Sequence, residues 1–231
     1  MDENVINLDN PLIKLGFESE DIVLPGQMAA ICARAGIGKT SFVVQVAIFA
    51  MARGKKVLHI SLDEPVTKIN LWYGEMFRHI ATKNTISRIN HTWTELMPNR
   101  LIMTLRHDGF SVPRLEERLA DLMEQNIFKP DMLVIDGFPF ESTDRSVLKE
   151  IKILAEKMNM NVWFTVTTHR HEEPDQDGMP VQLSQINDLF NALFQMVPEN
   201  KTVNLAVLKG NVDSRKANPL FIEPETRLIY A

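Results

Sequence analysis

The sequence holds a single cysteine, Cys32, so no intramolecular disulfide can form, which fits a reducing compartment. Long apolar runs are also missing. The greasiest stretch, 42–52, is interrupted by Gln45 and falls far short of the roughly 20 residues that span a bilayer. Met1-Asp2-Glu3-Asn4 lacks the basic start and apolar block of a secretory signal. Positive charge is not in excess. The formal net charge is −5, so no overall field draws the chain to nucleic acid or anionic lipid, and only a local basic groove would do so. Low-complexity tracts, coiled-coil repeats and interdomain linkers are absent. These absences lead us to expect one cytoplasmic domain over residues 1–231 with no membrane partner.

What is present is ordinary globular composition. Hydrophobic residues make up 45% and charged residues 24% of 231, enough for a full core. A short apolar run at 27–32 precedes a glycine-rich turn and a helical stretch over 39–53, ended by Gly54. A second strand follows at 57–62. Val66, Ile69, Trp72, Tyr73, Met76, Phe77 and Ile80 then recur at helical spacing. Strands at 101–105, 132–135 and 162–166 alternate with helices around Leu115–Met123, closed by Pro130, and Val147–Met158. The alternation predicts an α/β fold: a mostly parallel central sheet with helices on both faces. Residues 192–197 and 203–208 read as a C-terminal β-hairpin around Pro198-Glu199-Asn200. Ile186, Leu189, Phe190 and Leu193 also fit a helix, so a short helix followed by a strand is the expectation there.

Chemistry gathers first at Ala33-Arg34-Ala35-Gly36-Ile37-Gly38-Lys39-Thr40, a Walker A pattern with alanine at the usual first glycine. Backbone N–H groups must turn inward to cradle phosphates, so glycines stand where the chain bends tightly. The following helix adds its N-terminal dipole. Lys39 brings a mobile positive charge, and Thr40 offers a hydroxyl to Mg²⁺. With Ser41, residues 33–41 form the candidate nucleotide-binding set. Met132-Leu133-Val134-Ile135-Asp136 is an apolar strand ending in a carboxylate, placed to support the Mg²⁺ shell opposite Thr40. Gly137 follows, not the glutamate many ATPases carry there, so the catalytic base lies elsewhere.

Ser61-Leu62-Asp63-Glu64-Pro65 ends the second strand. Here the chain resembles the RecA/KaiC/DnaB branch of P-loop ATPases. Leu62-Asp63-Glu64-Pro65-Val66-Thr67 resembles the KaiC-type Phe-Glu-Glu-Thr-Pro stretch, and the likeness runs from Leu24-Pro25-Gly26 to the last strands. It implies a RecA-like P-loop NTPase core that hydrolyses ATP to ADP with Mg²⁺. It also implies Glu64 as the base that activates water, with Asp63, the residue the helicase register selects, as the rival. His169, at the end of the strand after Asp136, matches a γ-phosphate sensor. Lys209 and Arg215 resemble cations that reach a neighbouring subunit's ATP site, which implies a homo-oligomer, with a hexamer as one candidate size.

We expect a bare core, without a second RecA domain or a helicase N-terminal domain. His169 and His171 precede Glu172, Glu173 and Asp175 without a second ligand pair, so zinc is not expected, and 171–180 reads as a solvated polar loop. That segment often meets single-stranded DNA in the family. Here its carboxylates repel phosphate, which disfavours nucleic acid as a partner. The leading expectation is a KaiC-like regulatory or assembly ATPase. A DNA recombination or helicase-loading motor and a non-hydrolysing nucleotide switch are the alternatives.

Overall fold

The computed structural model describes residues 8, 10–106, 109–199, 202–213 and 215–231. Among the described residues nine strands form one sheet: β1 (Met28–Arg34), β2 (Val57–Ser61), β3 (Arg100–Thr104), β4 (Met132–Asp136), β5 (Asn161–Thr168), β6 (Ala192–Glu199), β7 (Thr202–Lys209), β8 (Leu220–Ile222) and β9 (Ile229–Tyr230). Their order is β3-β2-β4-β5-β1-β6-β7-β8-β9. From β3 to β6 every neighbouring pair is parallel, and from β6 to β9 every pair is antiparallel. The fold is therefore α/β with a mostly parallel sheet. β6 and β7 are the expected hairpin, with Asn200 of its turn outside the described residues.

Alternation along the strands divides the core in two. Ala29, Ile31, Val57, Met132, Val134 and Trp163 face α1 (Lys39–Ala52), α2 (Val66–Lys83) and α3 (Ile89–Leu96). Their neighbours Met28, Ala30, Leu58, Leu133, Ile135 and Phe164 face α4 (Val112–Glu124), α5 (Arg145–Met158) and the single turn α6 (Val181–Ser184). Helix α1 is buried nearly all round, from Phe42 to Phe49 and at Met51. It lies between the sheet, α2, a 3₁₀ turn at Pro11–Leu15 and the C-terminal strands, so an unbroken apolar sequence suits it. Helix α2 is amphipathic as expected. Val66 and Trp72 are the exceptions: Val66 is exposed and Trp72 only half-buried.

Some boundaries differ from expectation for local reasons. Helix α4 stops at Glu124 rather than running to Pro130. Asn126 turns left-handed (φ 54), and the N–H groups of Ile127 and Phe128 both cap the Leu122 carbonyl. Strand β5 continues to Thr168 because Arg34 of β1 pairs with it. Ahead of β6 the short helical piece is a 3₁₀ turn, Asn187–Leu189, preceded by α6. No helix among the described residues is long and apolar enough to cross a membrane.

Candidate functional site

The carboxyl ends of the parallel strands share one edge of the sheet, where the loop after β1 lies. In open α/β sheets this edge is where ligands bind. The loop makes its turn with Gly36 (φ 78) and Gly38 (φ 114), the second being the N-cap of α1. Gly38, without a side chain, gives α1 no side-chain cap, so the helix's first N–H groups have no intrahelical partner. Lys39 folds back, its amine donating to the carbonyls of Ala33 (3.2 Å) and Arg34 (3.4 Å). Burial pushes the Lys39 pKa below its usual value, and the charges of Asp136 and Asp63 work against that shift.

Three strands converge on Asp136. Ser61, Asp136 and Thr165 share the face of the sheet that α1 covers, because each stands an even number of residues from a side chain already packed there. The Thr40 hydroxyl donates to Asp136 Oδ2 at 2.8 Å, across 96 residues of sequence. The Thr165 hydroxyl donates to Oδ1 at 2.6 Å and accepts from the Gly137 N–H at 2.9 Å. Beneath them, fully buried His59 places Nε2 3.8 Å from Asp136 Oδ2, too far for a hydrogen bond, while its Nδ1 lies 3.2 Å from the Tyr73 hydroxyl. Burial alone would raise the Asp136 pKa. His59, Thr165 and Thr40 together outweigh it and hold the carboxyl below the ordinary carboxylate range. Asp136 is thus an ionised carboxylate in the interior.

The two candidate bases take different positions. Glu64 is half-buried, its N–H donates to the Ser61 hydroxyl at 2.9 Å, and its carboxylate pairs with Lys68. It lines a cleft of about 520 Å³ together with Lys39 and Thr40. Asp63 lies against Gly137, beside the Asp136 turn.

The remaining candidates do not gather there. His169 pairs with Glu141 and lines a second cleft with Arg34 at the ends of β1 and β5. Lys209 ends β7, opposite Leu193 at the start of β6, and its amine donates to the Asn187 carbonyl at 2.8 Å. Arg215 lies beyond the hairpin, exposed, and bonds Asp213. The 171–180 segment is more than a solvated loop. Asp175 accepts from the N–H groups of Asp177 (3.0 Å) and Met179 (2.9 Å) and from the Ser184 hydroxyl, so the carboxylate organises a turn. Cys32 is a buried thiol, its pKa pushed up to about 12 by burial.

Sequence reasoning missed His59, Thr165 and Arg227. The first two carry a faint signal: polar side chains in step with Ser61 and Asp136 on otherwise apolar strands. Arg227 carries none, since its guanidinium reaches the Ile37 carbonyl (3.1 Å) across 190 residues. No protein-family model and no curated protein matches this chain.

Proposed function

We propose that this chain binds ATP and hydrolyses it to ADP with Mg²⁺, as a RecA/KaiC-type P-loop core acting in regulation or assembly. The observation that carries the reading is the Thr40–Asp136 hydrogen bond at the uncapped start of α1. It joins a hydroxyl and an ionised carboxylate beside a glycine-turned loop, the pairing that phosphoryl transfer requires around its metal.

The donors suit Mg²⁺. Both are hard oxygens, and no group of three or more His, Cys, Asp or Glu that could hold a metal occurs among the described residues. A metal held by one or two protein oxygens and the substrate's phosphates fits that composition better than an all-protein cage. Bound there, Mg²⁺ would offset charge on the β- and γ-phosphates.

The chain's own residues do the rest. Lys39 leaves the Ala33 and Arg34 carbonyls for the phosphates, which the α1 N–H groups also hold. Glu64 gives up Lys68 and takes the proton of the attacking water, while Asp63 helps keep Lys39 charged. His169 reports loss of the γ-phosphate, and Lys209 or Arg215 serves a neighbouring copy in a homo-oligomer. The charged 171–180 turn still argues against nucleic acid.

Calorimetry with Mg·ATP tests the reading, alongside phosphate release with and without single-stranded DNA. Lys39→Ala removes most of the affinity, and turnover is indifferent to DNA. Equal affinity in wild type and Lys39→Ala would end the proposal.

A further inference from the structure

His59, in the middle of β2, has no chemical role in the ATP reading above, yet it stands against the carboxylate that reading depends on. Its side chain is fully buried. Nδ1 lies 3.2 Å from the Tyr73 hydroxyl, and Nε2 lies 3.8 Å from Asp136 Oδ2. Nε2 has neither solvent access nor a hydrogen-bond partner among the described residues. A buried polar atom in that state destabilises a fold, and native interiors hold few of them.

The surroundings fix which nitrogen carries hydrogen. Tyr73 is fully buried, and burial pushes its pKa up, so its hydroxyl keeps its hydrogen. Nδ1 of His59 is the one partner that hydroxyl has among the described residues, so Tyr73 donates and Nδ1 accepts. The ring hydrogen then sits on Nε2. The charge of Asp136 selects the same arrangement, because a lone pair on Nε2 would face a carboxylate while an N–H is drawn to it. Tyr73 is itself held in place. The Arg100 guanidinium lies 4.5 Å from its ring centroid and 5.3 Å from that of Trp93, between the two rings' helices, α2 and α3.

The carboxylate has room for this donor. Oδ2 takes the Thr40 hydroxyl and Oδ1 takes that of Thr165, and each oxygen of an ionised carboxylate accepts two hydrogen bonds. A movement of about 0.8 Å turns the Nε2 approach into an N–H···O bond of ordinary length. A donor satisfied only after that movement favours whichever state brings it about. Resting on the ATP reading above, we propose that His59 is a positioning residue: its Nε2–H, oriented by Tyr73, closes onto Asp136 Oδ2 when Thr40 and Asp136 take up Mg·ATP, and fixes the carboxylate in its metal-supporting orientation. Partners of this kind behind a metal-supporting group are worth 10- to 100-fold in metal affinity.

Two measurements on the full chain test this. In the first, the chain carries ¹⁵N-histidine, and the His59 signal is identified by its loss in His59→Gln. The free chain should show hydrogen on Nε2, not Nδ1, slow to exchange with water. That resonance should move downfield with Mg·ATP and stay in place with ATP in EDTA. The second is calorimetry on two variants that divide the ring. Glutamine puts an amide N–H near the place of Nε2, whereas asparagine keeps its polar atoms near Nδ1. His59→Asn should weaken Mg·ATP roughly tenfold and ATP in EDTA by no more than about twofold. His59→Gln should recover most of that loss. Should either variant fail to fold, the wild-type spectrum decides alone. Hydrogen on Nδ1, an Nε2–H resonance that ignores bound Mg·ATP, or equal weakening by Asn and Gln would each reduce His59 to packing and end the proposal, with the ATP reading intact. If wild type binds no Mg·ATP, the ATP reading falls and takes this proposal with it.

Discussion

The Asp63 carboxylate occupies the space that a side chain on Gly137 would need: a Cβ there would stand 2.3 Å from Oδ2 and 2.7 Å from Cγ. Gly137 also has φ +82, a backbone that favours glycine. Two features thus favour glycine after Asp136, and the acid found there in many ATPases would have to displace the Asp63 carboxylate.

Gly137→Ala separates the two grounds when set beside Gly178→Ala. Gly178 has φ +78 and nothing within 4 Å of its missing Cβ. Gly178→Ala should lose about 1–2 kcal/mol for the backbone alone. Gly137→Ala should lose clearly more in urea unfolding, because Asp63 must move. Equal losses would mean that Asp63 shifts aside freely.

Gln45, a buried amide in the otherwise apolar α1, donates from Nε2 to the Arg227 carbonyl at 2.7 Å, and its Oε1 accepts the Ile229 N–H at 2.9 Å. Gln45→Leu keeps roughly the shape of α1 but strands both partners. Orphaning a buried polar group costs about 1–3 kcal/mol. Denaturant midpoints should fall accordingly, and hydrogen exchange at Ile229 should quicken. A stability within about 0.5 kcal/mol of wild type would show the two bonds to be dispensable.

Glu64→Gln should keep ATP affinity and slow hydrolysis at least ~100-fold, the scale of a lost base. Lys68→Ala should change turnover only a few-fold, since exposed ion pairs are worth about 0–1 kcal/mol. Asp63→Asn is the deciding companion. If it, rather than Glu64→Gln, abolishes hydrolysis, the two acids exchange roles.

Asp188 gives a pH signature. Hydrogen bonds from Arg145 at 2.8 and 2.5 Å hold its pKa down at about 2, below the usual 3.8. A depressed carboxylate contributes stability above its unfolded value and loses it as pH falls through the folded value. Asp188→Asn should thus lower Tm near neutral pH, by no more than about 2–4 °C because the pair is exposed. The gap should close as pH falls from 3.8 toward 2. A gap that persists at pH 2 would assign the loss to something other than charge.

Sequence made the parallel part of the sheet legible because its strands are short apolar runs and its helices carry a 3.6-residue period. Thr40 and Asp136 could be paired in advance, since a hydroxyl after a glycine-rich turn and a carboxylate at a strand end each advertise their chemistry. Strands β8 and β9, of three and two residues, are too short for any period to show. Helix α3, Ile-Asn-His-Thr-Trp-Thr-Glu-Leu, mixes polarity and was equally silent. His59 and Arg227 escaped for another reason. Their roles come from partners distant in sequence, Tyr73 and Asp136 for one and Ile37 and Gln45 for the other, and only the folded sheet assembles those.

Strand β4 carries a consequence of its pleat. Leu133 and Ile135 look into hydrocarbon under α4 and α5, whereas Val134 stands between His59 and Trp163, and Asp136 ends the row. Swaps of similar volume at 133 and 135 meet only aliphatic neighbours that can repack, at less than about 1.5 kcal/mol. The same swaps at 134 press on an imidazole that stands beside the carboxylate. Tolerance to substitution from 133 to 136 should therefore alternate, with Val134 and Asp136 bound to the chemistry and Leu133 and Ile135 bound only to volume.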